Sequence, residues 1–169
     1  MTFACFMQNE IAAFAGEAAA EDIYWCAPWN DPRAPRILKG EEAVRRFTEG
    51  RVNKFVCIER DREQLQALGR RLETLPGLEI TSSWADNYEL MPQGVSKGRA
   101  VKELAEKMGI GPDQVMTVGD FDNDLSMIEY AGYGTAMGNA TPKVKAAAKY
   151  VTLTNDEDGV AAAIRKYVL

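Results

Sequence analysis

Residues 114–132 read Gln-Val-Met-Thr-Val-Gly-Asp-Phe-Asp-Asn-Asp-Leu-Ser-Met-Ile-Glu-Tyr-Ala-Gly. The apolar run of Val115, Met116 and Val118 predicts a buried strand of a parallel sheet. The strand stops at Gly119, and the chain turns to deliver Asp120, Asn123 and Asp124 beyond its carboxyl end. A helix follows, with Leu125, Ile128 and either Met127 or Ala131 on its apolar side. Open α/β sheets bind ligands in the crevice outside such strand ends. Two carboxylates and an amide on one short turn offer hard oxygen ligands for Mg²⁺ and a neutral donor for a phosphate oxygen.

The same turn admits plainer readings. Asp and Asn favour helix starts, so one or two of these residues could serve only as caps. Three polar side chains at one strand-to-helix turn exceed what capping needs. Asp120, Asp122 and Asp124 also alternate like the first ligands of an EF-hand. That loop requires Gly at its sixth position and Glu at its twelfth, where this chain has Leu125 and Ala131. A calcium loop is therefore excluded.

Upstream lies Gly94-Val95-Ser96-Lys97-Gly98-Arg99-Ala100. Ser96 is placed to cap a helix whose apolar positions are Val101, Leu104, Ala105 and Met108, with Gly109 placed to end it. Lys97 then falls in the first turn, where the helix dipole disfavours a cation. Taken alone it is an ordinary surface lysine. An anion at the helix start, where phosphate binds readily, would give it a purpose.

Together, Lys97 in Gly-Val-Ser-Lys-Gly and the Gly119-Asp-Phe-Asp-Asn-Asp-Leu-Ser-Met-Ile-Glu-Tyr-Ala-Gly132 run resemble the Cof-type phosphatases of the haloacid dehalogenase (HAD) superfamily. The likeness continues through Gly138-Asn139-Ala140, a helix at 143–149, a strand at 150–153 and the segment Asn155-Asp156-Glu157-Asp158-Gly159-Val160. It spans residues 90–169 without a break. Residues 52–89 resemble the end of that family's cap domain, and residues 1–51 are loosely similar. The resemblance implies an α/β fold: a partial HAD-type, Rossmann-like parallel sheet over 91–169 with an α+β cap domain over 1–90. It implies a Mg²⁺-dependent enzyme that transfers a phosphoryl group to an aspartate and hydrolyses the aspartyl-phosphate. By motif, Asp120 would ligate Mg²⁺, and Asp124 would hold the metal's water shell or orient Lys97. Lys97 would neutralise the transferring phosphoryl group, and Asn123 would hydrogen-bond the phosphate. Such roles suit phosphoryl transfer, which depends on positioning and charge stabilisation.

One part of the family pattern is missing. The nucleophile there is the first Asp of an Asp-x-Asp-Gly motif just after the first core strand, followed by a Ser/Thr phosphate-binding motif. This chain opens Met1-Thr2-Phe3-Ala4-Cys5-Phe6-Met7-Gln8, and its first aspartate is Asp22. Roughly the first third of a family member is therefore expected to be absent. Asp156-Glu157-Asp158-Gly159 fits the nucleophile pattern literally, but it lies about three helical turns from Leu169. In the resembling fold this segment introduces the last helix, with Asp156 or Asp158 capping and Gly159 turning. In that fold, too, the strand ending at Asp120 lies beside the nucleophile's strand. Without that neighbour, Val115–Val118 would present an unpaired apolar edge needing a cover. A second copy is favoured over the missing segment or a folded-back N-terminus.

Composition narrows the partners. The chain has 169 residues, 46% hydrophobic, with a net charge of −5 that argues against nucleic-acid binding. No apolar stretch approaches the roughly 20 residues of a membrane span, and the N-terminus lacks the order of a secretion signal. Cys5, Cys26 and Cys57 are odd in number and widely spaced, so they read as free or buried thiols of a cytoplasmic protein. There is no histidine, which removes Ser-His-Asp and Cys-His hydrolysis and imidazole-bound zinc.

Along the chain, residues 3–20 are alanine-rich and predict a helix, and Tyr24 to Pro35 form a proline-rich loop with three aromatics. A short helix is expected at 41–49, a strand at 54–59, and a helix at 62–75 capped by Asp61 with Leu65, Leu68, Leu72 and Leu75 on one stripe. Strands at 78–84 and 87–90 complete an α+β unit, and Pro92-Gln93-Gly94 is the hinge. Thereafter the order is helix 96–108, strand 114–118, helix 122–131, strand 133–137, helix 142–148, strand 150–153 and helix 158–167, an α/β alternation. The expected function is that of a cytoplasmic Mg²⁺-dependent phosphatase acting on small phosphorylated metabolites such as sugar phosphates, inactive as this chain alone for want of the nucleophile. The rival is a non-catalytic module that binds phosphate, metal or protein.

Overall fold

Two periodicities divide the chain, alternation of apolar and polar residues in its first half and strands spaced by amphipathic helices in its second. A computed structural model describes residues 2–7, 10–14, 36–38, 40–49 and 52–169. It separates into two compact units, one up to Gln93 and one from Gly94 to Leu169.

The first unit contains β1 (Thr2–Phe6), β2 (Glu10–Phe14), β3 (Arg36–Leu38), α1 (Gly40–Glu49), β4 (Lys54–Ile58), α2 (Arg62–Leu72), β5 (Leu78–Thr81) and β6 (Asn87–Pro92). Its strands form one sheet in the order β3-β2-β1-β4-β6-β5, antiparallel except for the β2–β3 pair. The register sets Phe3 opposite Cys57, Cys5 opposite Phe55, and Cys57 opposite Tyr88, so these side chains share a face. α2 covers that face with Leu68 and Leu72, joined by Leu78, Ile80 and Leu90. Ala4, Val56 and Glu89 align on the other face. Asp61 caps α2 as expected, accepting from the amides of Glu63 at 2.9 Å and Gln64 at 3.1 Å. The helix ends at Leu72, and Leu75 lies beyond it, half exposed.

Where residues 3–20 are described, the expected helix is not formed. Its described residues are the strands β1 and β2, and the loop from Tyr24 to Pro35 lies outside the described residues. Helix propensity is a weak prior. Here the pairing of β1 between β2 and β4 outweighs it, burying Cys5 on one face and Ala4 on the other.

The second unit contains α3 (Lys97–Met108), β7 (Met116–Gly119), α4 (Leu125–Tyr130), β8 (Tyr133–Ala136), α5 (Pro142–Ala147), β9 (Tyr150–Val151) and α6 (Gly159–Tyr167). Its three strands are parallel, in the order β7-β8-β9. One apolar cluster joins Ile128, Ala136, Met137, Ala140 and Val144, and another joins Ala105, Val115 and Ala131. This is the α/β, Rossmann-like alternation that the sequence predicts. Gly109 ends α3 in the left-handed region at φ 71°, and Thr141 caps α5 with Pro142 behind it. Before α6 the expected capping is redistributed. Thr154 and Glu157 bond each other, Asp158 takes the left-handed conformation without a capping bond, and Gly159 packs against the Leu153 carbonyl.

Among the described residues β7 pairs with β8 alone, leaving its other edge open. Leu104 and Met108 of α3, expected on the inward stripe, are 58% and 64% exposed. Only Ala105 and Val101 of that stripe reach an apolar cluster. No helix among the described residues is long and apolar enough to cross a membrane.

Cys5 and Cys57 are free and buried, and burial pushes each thiol from 9.0 up to about 12. The folded protein thus keeps these protons at pH values where the unfolded chain has released them. Stability is whole below pH 9.0 and falls as pH rises toward about 12. Urea midpoints measured across that window should decline, and the decline should be shallower in Cys5→Ala and Cys57→Ala proteins. An identical slope in all three would show that the thiols do not contribute.

Candidate active site

The site begins with a helix start. Ser96 accepts the amide of Arg99 through its hydroxyl at 3.1 Å and that of Ala100 through its carbonyl at 3.1 Å. The amide of Gly98 donates to the hydroxyl of Ser126, in α4, at 3.0 Å. The amides of Gly98, Arg99 and Ala100 are thus taken up within the protein, and the first residue of the helix, Lys97, brings an ammonium to its start. That ammonium lies 2.5 Å from Oδ1 of Asp124.

Asp124 sits in a 3-10 turn, Asp122–Asp124, between β7 and α4. Its side chain is 5% exposed, against 49% for that of Lys97. Oδ2 accepts the amides of Asp120 at 2.9 Å and Phe121 at 3.3 Å. Both carboxylate oxygens are therefore engaged. Gly119 makes this possible, because a side chain there would collide with Asp124, whose Oδ2 would lie 2.7 Å from the added Cβ.

Asp120 is exposed at the end of β7. Its Oδ2 accepts from the amide nitrogen of Asn139 at 3.4 Å, and Oδ1 of Asn139 accepts the amide of Asn155 at 3.0 Å. The backbone carbonyl of Asp120 accepts the Thr141 amide at 3.0 Å. These bonds tie the loops following β7, β8 and β9 together. Asn123 is half-buried in the turn beside Asp124. Asp122 pairs with Lys143 of α5 at 3.0 Å.

Of the four residues singled out from sequence, Lys97 and Asp124 touch, Asp124 binds the backbone of Asp120, and Asn123 shares the turn. Ser126, Asn139 and Lys143 were not foreseen. All three lie in stretches that carry the family resemblance, Ser126 two residues after Asp124 and Asn139 and Lys143 on either side of the Thr141-Pro142 helix start, but nothing in the sequence gave them a role.

Among the described residues no three His, Cys, Asp or Glu side chains gather as a metal-binding group. The donor set is one exposed carboxylate, Asp120, beside one engaged carboxylate, Asp124. An all-protein cage for a cation is absent from these residues. A cation that keeps several waters and leans on one or two carboxylates plus a substrate phosphate fits them, which is the habit of Mg²⁺.

The haloacid dehalogenase-like hydrolase family matches residues 39–164, including every residue of this site. The chain belongs to that family. It is 50% identical over 92 residues to a 5-amino-6-(5-phospho-D-ribitylamino)uracil phosphatase, YcsE, of Bacillus subtilis (strain 168), covering 54% of this chain and 37% of that protein. A solved haloacid dehalogenase-like hydrolase from B. subtilis superposes with a TM-score of 0.82 at 30% identity, over 99% of this chain and 65% of its own. The HAD subclass IIB sugar phosphatase BT4131 superposes with a TM-score of 0.78 at 26% identity, over 98% of this chain and 60% of its own. The chain thus spans little more than a third of that curated relative and under two thirds of these solved structures.

Because Gly119 leaves the space that Asp124 fills, Gly119→Ala should displace the carboxylate and cost about 1–3 kcal/mol, as overpacking does. The backbone amide resonances of Asp120 and Phe121 should shift together in ¹H–¹⁵N spectra. Unmoved resonances would show that Asp124 is not their acceptor.

Proposed function

We propose that this chain supplies the phosphate- and metal-binding half of a Mg²⁺-dependent phosphomonoester hydrolase that acts on small phosphorylated metabolites such as sugar phosphates. The observation that carries this reading is the Lys97–Asp124 pair beyond the carboxyl end of β7, with Asp120 exposed beside it. Lys97 is half exposed while its partner is buried, so the cation is anchored from behind and open to an anion in front. In the proposed reaction Lys97 neutralises the phosphoryl oxygens, and Asn123 donates a neutral hydrogen bond to them. Asp120 is the carboxylate free to meet the metal. With both oxygens engaged, Asp124 is assigned to holding Lys97 rather than to direct ligation. Mg²⁺, when bound, would offset phosphate charge and polarise the transferring group.

The six-stranded unit before Gly94 is proposed as the cap that selects the substrate. Two phosphatases of small phosphorylated compounds among the relatives, one of them a sugar phosphatase, support the substrate class. Free cysteines at positions 5 and 57 suit a cytoplasmic setting. No motif of these residues provides the attacking aspartate, so the chain alone is proposed to turn over phosphate esters negligibly. The open edge of β7 and the exposed Leu104 and Met108 are proposed to receive a further strand-bearing segment. The extra length of the solved relatives favours such a segment over a second copy.

Calorimetric titration with inorganic phosphate should show binding that depends on Mg²⁺. Lys97→Ala should weaken it about ten- to hundredfold, the worth of a charge-assisted hydrogen bond. Asp120→Asn should abolish the Mg²⁺ dependence. Phosphate binding indifferent to Lys97→Ala would overturn the site. In a phosphate-release assay, robust Mg²⁺-dependent turnover of a sugar phosphate that survives Asp156→Asn and Asp158→Asn would show that another residue attacks. Sedimentation at micromolar concentration should show a monomer, and a stable dimer would identify a second copy as the cover.

A further inference from the structure

Two contacts join the starts of α3 and α4. The outer one is the ion pair of Lys97 with Asp124 at 2.5 Å. The inner one, a residue further along α3 and two further along α4, runs from the amide of Gly98 to the hydroxyl of Ser126 at 3.0 Å. We propose that Ser126 is a positioning residue for Lys97, fixing the backbone from which the lysine reaches the phosphate. This rests on the assignment of Lys97 to phosphate binding.

The packing makes the inner contact rigid. Gly98 is buried, and a Cβ on it would run into the backbone carbonyl and Cβ of Ser126, so the helix starts meet backbone to backbone. A helix-start amide has no partner within its own helix. It would ordinarily be left to water or to its own cap. Here Ser96 serves Arg99, and a hydroxyl from another helix serves Gly98. The lysine side chain itself is long, half exposed and rich in rotamers. Its attachment to Asp124 is only as definite as the distance between the two backbones. The hydroxyl of Ser126 sets that distance. Losing it would leave the buried amide of Gly98 unpaired, which drives the helix starts apart to admit water.

The test reads Lys97 directly and needs no turnover. The intact chain is acetylated briefly at constant pH, and the rate at each lysine is followed by mass spectrometry. Lys102, on the same helix and only loosely near Glu106 at 3.9 Å, is the internal reference. Asp124→Asn sets the rate of an unpaired Lys97. Ser126→Ala should raise the Lys97 rate relative to Lys102 by about three- to tenfold, the change one lost hydrogen bond brings. Ser126→Thr, which keeps the hydroxyl, should retain the original ratio. A merely structural role would speed both lysines together through fraying of α3 and leave the ratio unchanged. An unchanged ratio in Ser126→Ala, with a raised one in Asp124→Asn, overturns the proposal and leaves the ion pair standing. An unchanged ratio in both overturns the pairing of Lys97 itself. Phosphate binding that is absent from the intact chain or indifferent to Lys97→Ala, with the acetylation ratios as expected, would instead refute the functional reading alone.

Discussion

The carboxylate of Asp124 is almost wholly removed from solvent, and an unpaired charge in such a place would cost several kcal/mol. It is tolerated because three groups converge on it, the ammonium of Lys97 and the amides of Asp120 and Phe121. Those groups come from the first residue of α3 and from the turn that leaves β7. One side chain thereby ties together a strand end, a turn and a helix start distant in sequence. Gly119 and Gly98 are consequences of the same arrangement, since a side chain at either would occupy the space through which the elements approach.

This arrangement separates groups that hold the architecture from groups left open to a ligand. Asp124 has no free oxygen, and the amides of Gly98 and Arg99 are spent on the hydroxyls of Ser126 and Ser96. Asp120 and Lys97 remain partly open to solvent while being steered from behind, Asp120 by Asn139 and Lys97 by Asp124. The proposed phosphate and metal site rests on this cation and this carboxylate. The backing reaches across all three strand-end loops, because Oδ1 of Asn139 accepts the backbone amide of Asn155.

In the first unit, the N-terminal residues show how local preference can be outvoted. Alanines and phenylalanines near the start suit a helix when read as a window. Set opposite Cys57 and Val56, however, Phe3 and Ala4 face opposite sides of a sheet, and each side has a reason to be buried. α2 provides that reason on one side, with Leu68 and Leu72 over Phe3, Phe55 and Cys57. The stripe on α3 errs in the other direction. Leu104 and Met108 have the right spacing for burial, but both remain more than half exposed.

Sequence alone determined the α/β alternation after Gly94, the caps at Asp61, Ser96, Gly109 and Thr141, and the placing of Asp120, Asn123 and Asp124 at a strand exit. These depend on contacts between residues a few positions apart, where spacing and side-chain chemistry are sufficient. The resemblance left Asp124 either to the metal's water shell or to Lys97, and the tertiary structure brings it to Lys97; only the tertiary structure decided that Ser126 takes the amide of Gly98 and that Asn139 backs Asp120. It also decided that Thr2–Phe6 is a strand in the middle of a sheet. Each of these joins residues far apart in the chain, and their geometry is set by how helices and strands pack rather than by any pattern a window of sequence can hold.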